Sequence, residues 1–187
     1  LTQDKVAALT TIQVAQLNQT QIGAIDKEFI NQFSTADFSA IKVHSIQGLT
    51  DDQLSNLSTN LAGAITYQQI QKLTSDQINQ LEDASFSAIQ AKTSKGLNSS
   101  QLQNLSASIV GAFTSYQISK FNSVQIGKIN YAYVDELSNA AIASISAKSI
   151  RGLTIGQIAE LKSTNSAQLT AQQVAQLNST QLAAFSA

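Results

Sequence analysis

Residues 9–24 read LTTIQVAQ followed by LNQTQIGA, one eight-residue pattern written twice. An apolar residue is followed by Ser, Thr, Asn or Asp, then two variable residues, often Gln, then Val, Ile, Leu or Phe, and two small or polar residues. Counted in eights from Leu1, the 187 residues form 23 such octads and a three-residue remainder, without insertion or deletion. Position 1 is Leu, Ile or Phe in all 23, and position 6 is aliphatic or Phe in 20. The exceptions at position 6 are Ala62, Ser94 and Ser166.

Neither a continuous helix nor a continuous strand suits this spacing. At about 100° per residue, each octad would move the apolar stripe on by about 80°, so it would circle the helix and leave no face to bury. In a strand, the odd step from position 1 to position 6 puts the two apolar residues on opposite faces. Local chemistry points to a third arrangement. Position 2 is Ser, Thr, Asn or Asp in 19 octads, with Lys42, Glu82, Gln90 and Lys162 departing, and position 5 is Gln in 11, Gln13, Gln21, Gln53 and Gln69 among them. Thr-x-x-Gln is a capping box: the hydroxyl accepts from the third helical amide and the Gln side chain returns to the amide of the cap residue. Positions 1 and 6 are then the pair that staples a helix start. The pattern predicts one short helix per octad, of about one and a half turns, followed by a bend at the next position 1. Helices this short are not stable alone. Their stability must come from stacking, with positions 1 and 6 inside. The predicted fold class is all-α, a solenoid of very short capped helices, with two-octad helical hairpins as an alternative where a cap is weak. Gln at position 5 is also able to form ladders between stacked octads.

A second rhythm overlies the first. ADFSAIKVHSIQGLT at residues 36–50 returns as ASFSAIQAKTSKGLN at 84–98 and as AAIASISAKSIRGLT at 140–154. This reads as a super-repeat of six octads, once extended to seven, with limits near 1–40, 41–88, 89–144 and 145–187 in a single domain. Six octads per superhelical turn is the corresponding guess. Gly48, Gly96 and Gly152 close the marked octads, where a left-handed C-terminal residue and a sharper bend are expected. The near-repeat of residues 9–25 at 169–185, and the lack of charge over 6–25 and 163–187, make the two ends alike. Neither end offers a polar cap. With Leu rather than Met at residue 1, the expectation is a processed or excised piece of a longer array, or a subunit whose ends meet other copies.

Composition narrows function by exclusion. Charged residues are only 12% and the formal net charge is −1, which offers no electrostatic attraction for nucleic acid. Cys is absent, so neither disulfides nor thiolate metal sites are available, and no apolar run is long enough to cross a membrane. His44 is the only histidine and stands at a variable position. The acidic pairs Asp51–Asp52, Glu82–Asp83 and Asp135–Glu136 lack the spacing and central Gly of a calcium loop. Asp51 and Asp52 instead suit the first turn of a helix. Lys92, Lys95, Lys148 and Arg151 recur at matching places but are balanced by acidic neighbours. Tyr131 and Tyr133 mark an unusual octad, INYAYVDE. No catalytic, metal-binding or cofactor-binding residue is predicted, and no cofactor.

The stretches LTTIQVAQL, LTSDQINQL, LTIGQIAEL and LTAQQVAQL resemble repeat regions of very large bacterial surface or secreted proteins of the adhesin or haemagglutinin type. That resemblance covers essentially the whole chain and carries no functional residues; LKSTNSAQ and IQAKTSKG depart from it at position 6. It implies a location outside the cell or on its surface. The expected function is structural: a spacer or filament subunit stacked head to tail on itself or on the rest of a larger protein. The alternative is a solenoid module that binds a peptide or protein, which an exposed row of aromatic residues would favour.

Overall fold

The computed structural model describes residues 3–161 and 163–186. It is all-helical: the described residues form nineteen short α-helices and five 3-10 segments, and no strand. The chain divides into two compact units, Leu1–Gly96 and Leu97–Ala187, at an octad boundary. Within each unit the α-helices are four to six residues long and no octad holds more than one, as the capping pattern predicts, while residues 25–32, 41–48, 129–136 and 145–152 hold a 3-10 segment instead.

The capping boxes form as read. Thr10 with Gln13, Asn18 with Gln21, Thr50 with Gln53 and Thr66 with Gln69 each make both reciprocal bonds. The same holds for Thr114 with Gln117, Thr154 with Gln157 and Thr170 with Gln173. Position 1 ends the preceding helix in an extended conformation, for example φ −58° and ψ 125° at Ile145. Its amide donates three residues back to the position-6 carbonyl, as in Ile25 to Ile22 at 3.2 Å.

Where the cap is missing, the helix still ends at the octad boundary. Glu82 and Gln90 make no side-chain cap bond, yet Asp83–Ala88 and Ala91–Ser94 are separate helices, so no two-octad hairpin forms there. The Lys42 octad starts late, as the 3-10 segment Ser45–Gly48. Lys162, with Leu1 and Thr2, lies outside the described residues.

Within each unit, octads pack on the octad three further along the chain. In the first unit Thr11–Val14 lies on Thr35–Ala40, which lies on Thr59–Ala64, which lies on Asp83–Ala88. In the second unit Ser115–Ile118 lies on Asn139–Ser144, and Ala107–Gly111 on Tyr131–Glu136. Three octads therefore make one turn in each unit, not six, and the 48-residue rhythm spans two turns. Positions 1 and 6 fill the interior: Phe38, Ile46, Leu54, Ile70, Ile126 and Ile142 are all fully buried. Consecutive position-1 residues meet at the bends, as the rings of Phe113 and Phe121 do at 5.3 Å, edge to face.

The marked glycines correct the expectation of a left-handed residue. Among the described residues no glycine has a positive φ. Their role is close approach of stacked backbones. A Cβ at Gly48 would overlap the backbone of Gln19, one at Gly152 the backbone of Ser123, and one at Gly127 the carbonyl oxygen of Gly152. Ser94, polar at an apolar position, is buried and donates to the Ala91 carbonyl at 2.9 Å, so it needs no partner from another turn.

Candidate functional site

The bend creates a chemical problem that the next turn solves. A position-1 carbonyl precedes the N-cap of its own helix and so takes no part in that helix. The side chain at position 5, one turn later, reaches it. Gln53 accepts the Thr50 amide at 2.9 Å with Oε1, while its Nε2 donates to the carbonyls of Ile22 at 2.9 Å and Ile25 at 2.5 Å. Gln157 repeats this on Ile126 and Ile129, at 2.8 and 2.7 Å. Gln69 reaches Ile41, Gln77 reaches Leu49, Gln125 reaches Leu97, Gln173 reaches Ile145 and Gln181 reaches Leu153. Each of these bonds spans 28 residues.

Other polar residues at position 5 do the same without a Gln. Ser85 donates to Leu57, Thr93 to Ile65, Ser149 to Phe121 and Asn165 to Leu137, again over 28 residues. The expected ladder thus exists, but it runs from side chain to backbone rather than from Gln to Gln. Asp37 reverses the polarity. Its carboxylate accepts from the Ser34 hydroxyl and from Thr11 on the preceding turn, which holds its pKa below the usual Asp value of 3.8. Slight burial opposes this, and the Ser34 amide adds to it.

These position-5 side chains make up most of the buried polar residues. Among the described residues every buried side-chain nitrogen and oxygen has a partner. Among these residues no buried polar side chain is left over for a ligand.

The residues weighed for chemistry are scattered over the surface. His44 is exposed, and its carbonyl takes a bond from Gln19 Nε2 at 2.7 Å. Asp51 and Asp52 sit in the first turn of Asp51–Ser55 and Asp83 in that of Asp83–Ala88, where a carboxylate complements the amide ends. Asp135 and Glu136 lie at the end of Tyr131–Glu136. Among the described residues no three His, Asp or Glu side chains form a group able to hold a metal ion. Lys92, Lys95, Lys148 and Arg151 are exposed, and Arg151 Nε donates to the Lys148 carbonyl.

Each unit carries a depression on its surface. The larger, about 580 Å³, is an open groove in the first unit lined by Thr35, Ser39, Thr66, Tyr67, Gln68 and Lys92 among others. The smaller, about 360 Å³, lies in the second unit beside Gln103, Lys128, Asn130 and Tyr131. Tyr67 and Tyr116, which the sequence did not single out, are exposed like Tyr131, and Lys120 lies 4.7 Å from the centre of the Tyr116 ring. Nothing in the octad marks variable positions 3 and 4 as special, so these tyrosines carried no pattern.

No described helix is long and apolar enough to cross a membrane. No protein-family model matches the chain, and no match is found among the curated proteins.

Proposed function

We propose that this chain is a non-enzymatic structural repeat protein of the cell surface or extracellular space, a spacer or filament subunit that associates head to tail. One observation carries the reading: the polar residues most often repeated, those at position 5, are engaged in tying each turn to the one before. Where they are buried, their donors and acceptors are occupied, so the recurring element of the repeat is mechanical rather than chemical. The low charge and the resemblance to bacterial surface repeats support the same reading. Negative-stain microscopy and sedimentation of the 187-residue chain over a concentration series test it. End-to-end species that grow with concentration support it; single particles at every concentration remove the assembly role.

The groove beside Tyr67 favours a second reading, a peptide- or protein-binding module of a larger secreted protein. Capture of a defined ligand that Tyr67→Ala abolishes, with an unchanged unfolding midpoint, would replace the first reading with this one.

A further inference from the structure

Three octads per turn sort the octads of the first unit into three stacked columns, and charge is divided between them. One column is built from residues 1–8, 25–32, 49–56 and 73–80, with Gln3–Ala7 on Ile30–Gln32, Asp51–Ser55 on Ser75–Asn79, and the Gln53 bond to Ile25 joining the two pairs. At position 4 it carries Asp4, Glu28, Asp52 and Asp76, one exposed carboxylate per turn at intervals of 24 residues. Asp26 and Asp51 add to this face, and Lys5 and Lys27 are its only lysines. A second column, residues 17–24, 41–48, 65–72 and 89–96, is the reverse. Lys42, Lys72, Lys92 and Lys95 are exposed on it beside His44, and it holds no Asp or Glu. The third column, residues 9–16, 33–40, 57–64 and 81–88, has no such ladder. Asp37 is bonded to Ser34 and Thr11 there, and Glu82 and Asp83 fall on a single turn.

We infer that the carboxylate column of the first unit docks side by side on the lysine column of the first unit of a second copy of this chain. This rests on the proposed self-association and gives it a lateral contact. Charge complementarity and spacing together select a second copy as the occupant. Both halves of the complementary pair belong to one chain. Carboxylates come once per turn, and Lys42, Lys72 and the Lys92 and Lys95 pair lie on three successive turns of the same stack. Two copies side by side therefore share one axial period, and each lysine-bearing turn meets a carboxylate-bearing one. A lysine-rich peptide or a polyanion would answer only one of the two faces. The second unit separates charge in the same manner. Residues 129–136 and 153–160, stacked on one another, carry Asp135, Glu136 and Glu160 and no Lys or Arg. Residues 121–128 and 145–152, also stacked, carry Lys128, Lys148 and Arg151 and no Asp or Glu. Exposed pairs of this kind contribute little each, so they set register and salt dependence more than affinity. The two faces differ, so the contact is heterologous and does not use itself up in a dimer.

Sedimentation velocity of the full chain across a series of NaCl concentrations reads the contact without any variant. Association is expected to weaken about tenfold or more between about 0.05 and about 0.5 M NaCl. Two double variants locate it, each checked for a cooperative unfolding transition: Asp52→Lys with Asp76→Lys, and Lys72→Glu with Lys92→Glu. At low salt each alone is expected to associate about tenfold more weakly than the original chain. A one-to-one mixture retains one unaltered pair of faces and is expected to recover a dimer. Association of the original chain that is unchanged by salt and by both double variants would overturn these faces while leaving structural self-association intact. A chain that stays monomeric at low salt would overturn both. Capture of a sulfated polysaccharide by that monomer, lost in Lys72→Glu with Lys92→Glu, would assign the lysine face to a polyanion instead.

Discussion

Gln69 shows how much one side chain does in this protein. It is fully buried, takes the Thr66 amide on Oε1 at 2.8 Å, and gives Nε2 to the carbonyls of Phe38, Ser39 and Ile41. Removing a buried hydrogen-bonding partner costs about 1–3 kcal/mol for each group left unsatisfied. Gln69→Ala is therefore expected to lower unfolding free energy by about 2–4 kcal/mol in urea titration, since a cap is lost as well. Gln69→Glu keeps the cap but turns a carboxylate oxygen on those carbonyls, and a loss at least as large is expected. Gln13→Glu, on an exposed box, is expected within about 0.5 kcal/mol of the original. Asp37 offers a pH test. Its folded pKa is depressed, chiefly by the Ser34 hydroxyl and then by Thr11, so its carboxylate contributes stability above the unfolded pKa. That contribution is lost as pH falls below the usual Asp value of 3.8 and through the lower folded value. Over that window the original chain is expected to lose stability relative to Asp37→Asn, measured by thermal unfolding at each pH.

At the scale of the helix and its bend, the sequence was legible wherever the physics is local. A capping box lies within four residues, so Thr50 and Gln53 could be read as a helix start directly. The bend angle is not local. It follows from how an extended position 1 aims its carbonyl and which later side chain meets it, and the packing of helices three octads apart, with the 28-residue bonds, discloses three octads per turn. Ser85, Thr93, Ser149 and Asn165 held a clue: these positions stay polar where no Gln box exists, which asks for a second task. Gly48 was misread because glycine serves both left-handed turns and close backbone approach, and one sequence does not separate the two. The structure makes the distinction testable. Gly48→Ala places a Cβ on the Gln19 backbone and is expected to cost about 1–3 kcal/mol or more. Gly156→Ala meets nothing nearer than 3.9 Å within a helix and is expected to add up to about 1 kcal/mol. Equilibrium unfolding in urea compares the pair.

For the chain as a whole, the turn rather than the octad is the unit of exchange. Deleting residues 49–72 removes three octads and brings Gln77 to the place of Gln53, over the Ile22 and Ile25 carbonyls. That variant is expected to unfold cooperatively, with a reduced midpoint. Deleting only 49–52 shifts every later position 5 by half an octad, leaving bend carbonyls and donors out of phase, and loss of the cooperative transition in the first unit is expected. Circular dichroism during urea unfolding reads both.

The 28-residue reach of the position-5 side chains also orders events in time. A bend carbonyl made early in synthesis has no partner until a full turn more of chain has emerged, because the donor lies only in the C-terminal direction. A chain appearing N-terminus first thus folds one turn behind its own growing end, each new turn sealing the last. Contacts of such short sequence separation favour rapid, stepwise closure over a search through the whole chain. The growing end always carries a displayed row of acceptors, so the same geometry that builds the wall also keeps one edge of it unfinished.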